Sequence, residues 1–377
     1  MERHFDSHEI LEVAGLAIVI GLALYLSYSG DFVVSSSFLP TYDNSMLHAA
    51  RARVVMDSQH WAETEVVFGG VSKSYHLPFG PSVFAALSEF GSLDLWWTIR
   101  LFNVFTTVLL ALAFYCLVRS LTKDWRAACV AAVFALSSTN LMSWGTRTTP
   151  ISIGVVMVIF GLYAVHKRWL LAAVLSGLSV ALDHQPSLLA LAISLAVFAI
   201  AGFFCELLGR RKALESVWIA IDRHSEAIAT GALAFLAYFA WHLRQTGLAC
   251  LNFKCLPQAA NKEFGKSIDL AGYFTGTVQH AFAAAGIFLL FASRRIPKRD
   301  RLLAAAFFAA TLILVKNDLL GIGVFTERFL TYFDEANAIL AGIAVAEILL
   351  AIEEPAESFI ATILHYGKRR SPQRGLP

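Results

Sequence analysis

The apolar runs of this chain limit first what it can fold into. Ile10–Tyr28 is about as long as the ~20 residues that cross a bilayer as a helix. Similar runs recur near Thr98–Leu121, Ala127–Trp144, Ile151–Val165, Trp169–Leu182, Ser187–Leu208, Ile228–Leu243, Tyr273–Ala292, Leu302–Val315 and Glu335–Ile352. A backbone in lipid must pair its own polar groups, so each run is expected as a helix. The pair flanking Arg168 and the run before Lys316 are the shortest for a span. Only 15% of the residues are charged and 57% are hydrophobic, whereas a soluble domain carries about 25% charged residues. The expected fold class is an all-α polytopic membrane protein with about ten transmembrane helices. Residues 1–352 read as one transmembrane domain and 353–377 as a basic tail. The leader before Ile10, M-E-R-H-F-D-S-H-E, is mixed in charge, and the run is longer than a signal-peptide core. It is expected to remain as a signal anchor.

Lys and Arg set the expected orientation. With the N-terminus in the cytoplasm, the connections holding Arg119, Lys123 and Arg126, then Lys167 and Arg168, then Arg210–Lys212, then Arg294–Arg301, all fall on the cytoplasmic side. The tail with Lys368–Arg370 joins them only if the number of spans is even. Loop 29–97 is then extracytoplasmic, as are Trp144–Pro150, Asp183–Pro186, Arg244–Leu270 and Lys316–Asp334. A net charge of +2 gives no reason to expect a nucleic-acid partner.

The first of these loops carries the densest potential chemistry. Thr41–Pro81 holds Asp43, His48, Arg51, Arg53, Asp57, His60, Tyr75 and His76. Asn44–Met56 has helical composition without Pro or Gly, and His48, Arg51 and Val55 share one face by steps of three and four. Asp43 stands at the N-cap position, where capping alone would explain it, but the nearby His and Arg residues fit a catalytic carboxylate equally well. Arg51 and Arg53 suit lipid phosphates at an interface. Pro78–Gly91 reads as a second, interfacial helix with Phe79, Val83, Phe84 and Leu87 on its apolar side.

Other external loops add candidates. Asp183-His184-Gln185-Pro186 is either a solvated turn or the lining of a polar cavity, where a charge at a membrane edge can be afforded. Arg147 and Arg328 offer the planar fork that suits phosphate, or simple anchoring beside Trp144 and Phe329. Cys250 and Cys255 share one external loop and can be reduced or bonded. No phosphate-cradling P-loop, dinucleotide fingerprint, zinc-protease motif or serine-nucleophile elbow is present.

With these residues in view, the sequence resembles the GT-C superfamily of membrane glycosyltransferases, in the branch of protein O-mannosyltransferases and aminoarabinose transferases. Four features carry the likeness. Y-D-N-S-M-L-H-A-A-R-A-R-V-V-M-D-S-Q-H-W followed by Y-H-L-P-F-G-P is similar to that family's first external loop. Leu175–Leu189, L-S-G-L-S-V-A-L-D-H-Q-P-S-L-L, is similar to its small-residue segment with a polar break. Glu327–Ala341, E-R-F-L-T-Y-F-D-E-A-N-A-I-L-A, is similar to its Arg-aromatic pair before a late span. The fourth is the topology.

The resemblance implies a polyprenyl-phosphate sugar donor, a lipid, glycan or protein acceptor, and Asp43 as the catalytic carboxylate. It implies Arg328 as phosphate ligand, with His48, Arg51, His76, Arg147, Asp183 and His184 lining the substrate site. The family's second acid, in the loop after the third span, is missing from S-W-G-T-R-T-T-P, and its Asp-Glu pair is Asp43-Asn44 here. A divalent metal is thus neither required nor excluded. The expected function is sugar transfer at the extracytoplasmic face. Its rivals are a lipid-linked saccharide transporter or flippase, and a non-catalytic scaffold of the same fold. Polar groups at the outer ends of mostly clean spans favour surface chemistry over translocation.

Overall fold

A computed structural model describes residues 7–29, 43–59, 64–67, 70–73, 77–138, 140–142, 150–209, 218–219, 221–246 and 278–369. His60, Tyr75, His76, Arg147, Cys250 and Cys255 lie outside the described residues, and so does the side chain of Asp43.

The described residues are helical almost throughout. In order come α1 (Ser7–Tyr28), α2 (Asp43–Ser58), a short hairpin of β1 (Thr64–Val67) and β2 (Gly70–Lys73), and α3 (Phe79–Gly91). Then follow α4 (Leu95–Thr122), α5 (Trp125–Ser137), α6 (Pro150–His166), α7 (Leu170–Ala181), α8 (Gln185–Gly209), α9 (Ser225–Thr246), α10 (Val278–Ala292), α11 (Lys298–Val315) and α12 (Thr326–Arg369). The hairpin pairs Thr64 with Lys73 and Val67 with Gly70, antiparallel. It was not expected from the apolar pattern; its signal is the β-branched run T-E-V-V closed by Gly69 and Gly70.

Among the described residues five helices are long and apolar enough to cross a membrane: Ser7–Tyr28, Trp97–Thr122, Gln185–Leu208, Ser225–Gln245 and Thr326–Glu353. Four further apolar helices are shorter. The shortest, α7, has 12 residues and extends about 18 Å at 1.5 Å per residue. The molecule is an integral, multi-pass membrane protein.

Close packing depends on small residues, as it does where lipid removes the hydrophobic drive between helices. On α5, Ala127, Ala128, Ala131, Ala132 and Ala135 are all fully buried. Gly286 of α10 faces the backbone of α12 so closely that a Cβ there would sit 2.1 Å from the Leu340 carbonyl oxygen. Asp124 caps α5, accepting from the Arg126 backbone N–H at 2.8 Å. Arg126 in turn pairs with Glu353 of α12, and Arg119 of α4 pairs with Glu12 of α1 at 2.8 Å. Across the same end, Arg299 of α11 donates to the last carbonyls of α6, Val165 at 2.8 Å and His166 at 3.2 Å. These are groups that a helix C-terminus otherwise leaves unpaired.

At the opposite end a second, smaller core holds the loop helices to the bundle. Ala49 and Ala52 of α2, Phe84 and Ala85 of α3, Ile99 of α4 and Ile153 of α6 are buried together. The expected apolar face of α3 is only partly used. Phe84 is buried, whereas Leu87 and Phe90 are 42% and 92% exposed, as on a helix that keeps one flank for lipid.

Candidate functional site

Three helix beginnings and one tight turn meet at this second end. The turn Leu182–His184 joins α7 to α8. The Phe79 N–H at the start of α3 donates to the Leu182 carbonyl at 2.9 Å. An unpaired donor of one helix start and an unpaired acceptor of a helix end thus satisfy each other, and α3 is fixed over the turn. Gly154 of α6 packs just behind. A Cβ there would fall 2.0 Å from the Ser187 Oγ of α8.

Asp183 is 3% exposed, which overturns the solvated-turn alternative. Both carboxyl oxygens are without a hydrogen-bond partner. Burial pushes this carboxyl well above the usual carboxylate range; the backbone amides of Gly80 and Gly154 lie near enough to pull it back, but only in part. Neither amide closes a hydrogen bond on it.

His184 is half-buried. Its Nδ1 lies 2.8 Å from Ser187 Oγ and 3.3 Å from the Tyr332 hydroxyl of α12. The imidazole is held well below its usual range, chiefly by desolvation and then by the nearby charges of Arg328 and His48. The ring retains solvent contact, but its surroundings are dense enough for desolvation to dominate.

His48 and Arg51 share the buried face of α2, as their spacing requires, with Arg51 Nη1 3.5 Å from His48 Nδ1. Arg53 and Asp57 lie on exposed positions. Arg328 lies in the first turn of α12, its guanidinium 5.3 Å from the Phe325 ring centroid. His48, Arg51, Asp183, His184 and Arg328 therefore belong to one end of the bundle, and Arg328 and His48 each act electrostatically on His184.

The last long helix departs from expectation. It starts at Thr326 rather than near Glu335, so acids assigned to its outer edge lie two turns inside. Asp334 accepts from Ser138 Oγ at 2.6 Å, and its carboxylate faces His280 Nε2 of α10 at 3.7 Å. Gln279 donates to its carbonyl at 3.3 Å. Glu335 and Asn337 are fully buried, with both polar atoms of each unpartnered. The interior is thus more polar than an inspection of run middles suggests. Ser187 and Tyr332 were not singled out as site residues from sequence; only their approach across α8 and α12 reveals them. Among the described residues no three His, Cys, Asp or Glu side chains converge as a metal would need.

The chain has the fold of solved GT-C membrane glycosyltransferase structures. It is similar to the archaeal oligosaccharyltransferase AglB of Archaeoglobus fulgidus solved with an inhibitory peptide and a dolichol-phosphate, at 12% identity and TM-score 0.56, covering 96% of this chain and 52% of that one. The Archaeoglobus fulgidus oligosaccharyltransferase with Zn and sulfate gives 15% identity and TM-score 0.54, covering 92% and 51%. ArnT of Cupriavidus metallidurans bound to undecaprenyl phosphate gives 17% identity and TM-score 0.52, covering 89% and 59%. The chain thus spans little more than half the length of these proteins. No family model and no curated protein sequence matches it.

Proposed function

We propose that this protein is a membrane glycosyltransferase that moves a sugar from a polyprenyl-phosphate carrier to a hydroxyl or amide acceptor at the extracytoplasmic face. The observation that carries this reading is that His48 of α2 and Arg328 of α12 both lie near enough to His184 of the α7–α8 turn for their charge to act on it. These residues sit in a fold whose solved examples include complexes with dolichol-phosphate and undecaprenyl phosphate. A donor phosphate placed there meets cationic or hydrogen-bond-donating side chains from three elements.

In this reading Arg328 holds the donor phosphate through its planar fork. Asp43, at the start of α2, takes the proton from the acceptor. The acceptor oxygen or nitrogen then bonds to the anomeric carbon while the carbon–oxygen bond to phosphate breaks. The bonding pair leaves with the lipid phosphate, and Arg328 stabilises the charge that develops there. His48 and Arg51 line the same site from α2, with His76 and Arg147 joining from their loops. Ten helices, α1 and α4 to α12, cross the membrane, the shorter ones in a locally thinned bilayer. Residues 1–352 form the one transmembrane domain, and both termini are cytoplasmic.

The test is transfer of radiolabelled sugar from polyprenyl-phosphate donors in membranes that hold equal amounts of wild type, Asp43→Asn or Arg328→Lys protein. Asp43→Asn abolishes transfer. Arg328→Lys raises the donor KM more than it lowers the amount of folded protein, because Lys lacks the bidentate fork. Transfer that survives in Asp43→Asn at the wild-type rate would refute Asp43 as the base; no transfer above that of membranes lacking the protein would refute the enzyme reading and leave a carrier or scaffold of this fold.

A further inference from the structure

Ser187, Tyr332 and the Nδ1 edge of His184 form a closed set of three polar groups. Ser187 Oγ lies 2.8 Å from His184 Nδ1, and the Tyr332 hydroxyl lies 2.5 Å from Ser187 Oγ and 3.3 Å from the same Nδ1. Ser187 and Tyr332 are fully buried. Ser187 also behaves unlike its neighbours. Ser176, Ser179 and Ser194 each give their hydroxyl to a carbonyl one turn back, at 2.9, 2.8 and 2.6 Å. Ser187 directs its hydroxyl into the trio instead, and the α6 backbone at Gly154 presses against it from behind.

The protons of this set can be counted. If Tyr332 donates to Ser187 and Ser187 donates to His184 Nδ1, both hydroxyl protons have an acceptor. The reverse chain, from an Nδ1–H through Ser187 to the phenol oxygen, leaves the Tyr332 proton without one. Asp183 and Glu335 do not take it, since neither carboxyl has a hydrogen-bond partner. Burying a donor unpaired costs on the order of 1–3 kcal/mol, so the first chain is preferred. It requires an unprotonated Nδ1, and a neutral imidazole then carries its proton on Nε2. Among the described residues no side chain hydrogen-bonds to that Nε2.

We infer that Tyr332 and Ser187 are positioning residues, which lock His184 as a neutral Nε2–H donor for the phosphate of the lipid carrier. This rests on the transferase reading for the identity of the acceptor of that hydrogen bond, but the tautomer does not. The division of labour follows. Arg328 supplies charge, and His184 supplies a directed hydrogen bond that neither needs nor loses a proton as the phosphate leaves.

The test uses full-length protein labelled with nitrogen-15 histidine in lipid nanodiscs, the His184 signals being identified by their loss in His184→Gln. The expected spectrum has a proton on Nε2 and a bare Nδ1. In Ser187→Ala/Tyr332→Phe protein the two tautomers mix. Undecaprenyl phosphate shifts the Nε2 signal in wild type. A His184 bearing its proton on Nδ1, or on both nitrogens, overturns the lock. In transfer assays His184→Gln, whose amide N–H lies near the place of Nε2–H, keeps activity within about tenfold of wild type, the scale of one hydrogen bond; His184→Asn, whose amide lies near Nδ1, loses more. Equal losses overturn the donor role. If undecaprenyl phosphate neither binds nor shifts Nε2 and no transfer is seen, the transferase reading fails, and the tautomer still decides the lock.

Discussion

Asp183 and His184 are adjacent, lie in one turn, and are pushed toward neutrality from opposite sides. Burial raises the carboxyl and lowers the imidazole. Above the ordinary carboxylate pKa of about 3.9 the unfolded chain has lost the Asp183 proton, while the folded chain keeps it until its raised pKa is reached. Stability contributed here therefore falls as pH rises through that window. For His184 the sign reverses. Below the ordinary imidazole pKa of about 6.5 the unfolded chain takes up a proton that the folded chain refuses, so stability falls as pH drops. The two slopes oppose each other in wild type, and single variants separate them. Relative to wild type, Asp183→Asn gains thermal stability progressively from mildly acidic to neutral pH, and His184→Gln gains as pH falls. A difference in melting temperature that stays constant with pH would remove the burial argument for that residue. The D-H-Q-P break marked both residues in the sequence, because charge between apolar runs stands out. Their partners did not stand out. Ser187 and Tyr332 are ordinary residues for an apolar helix, 145 positions apart, and only tertiary packing makes them a pair.

At the level of elements, the apolar pattern placed most long helices within a few residues; the exceptions are α5, which stops at Ser137 rather than near Trp144, and both ends of α12, which runs from Thr326 through the expected tail to Arg369. That helix begins at Thr326 because Arg328, Asp334, Glu335 and Asn337 find protein rather than lipid around them, a condition that hydropathy does not report. The interior polar groups are affordable only if the helices pack closely, which puts weight on two glycines. Alanine at Gly154 would set a methyl 2.0 Å from Ser187 Oγ, and alanine at Gly286 would set one 2.1 Å from the Leu340 carbonyl oxygen. At Gly286 the obstacle is backbone, so α10 and α12 must separate. At Gly154 the Ser187 hydroxyl can turn, at the expense of its bond to His184, and the 2.9 Å approach to Ser187 Cβ asks only a small shift of α6 against α8. Gly286→Ala is therefore expected to cost about 1–3 kcal/mol of stability, as overpacking does. Gly154→Ala should cost less stability but disturb donor use. Gly231→Ala, with nothing within 4 Å of its Cβ, is the control: it leaves donor use unchanged and does not lower stability, since Ala favours a helix interior over Gly. If all three variants melt together, the close approaches are not holding the bundle.

Across the whole molecule, charge and candidate site occupy opposite ends. Arg119, Lys123 and Arg126, Lys167 and Arg168, and Arg294 to Arg301 all flank helix ends remote from Asp183 and Arg328. This separation was legible from sequence, because basic residues mark connections whatever the packing between spans. The number of spans was less so. Among the described residues length and composition alone qualify five helices, and helices such as α7 and α10, at 12 and 15 residues, fall short of that length. Basic connections stay in the cytoplasm, so the Arg328 end is expected outside, where a lipid-linked sugar would be used after its headgroup has crossed the membrane. A reporter that is active only in the cytoplasm, fused after Lys212, should be active, and a glycosylation acceptor inserted after Lys262 should be modified. The two positions flank α9 (Ser225–Thr246), so opposite outcomes at the two sites require that α9 spans the membrane. The same outcome at both would mean that it does not. If both readouts are reversed, the bundle is inserted the other way and the donor must be met from the cytoplasmic leaflet, so the transfer assay would have to supply it there.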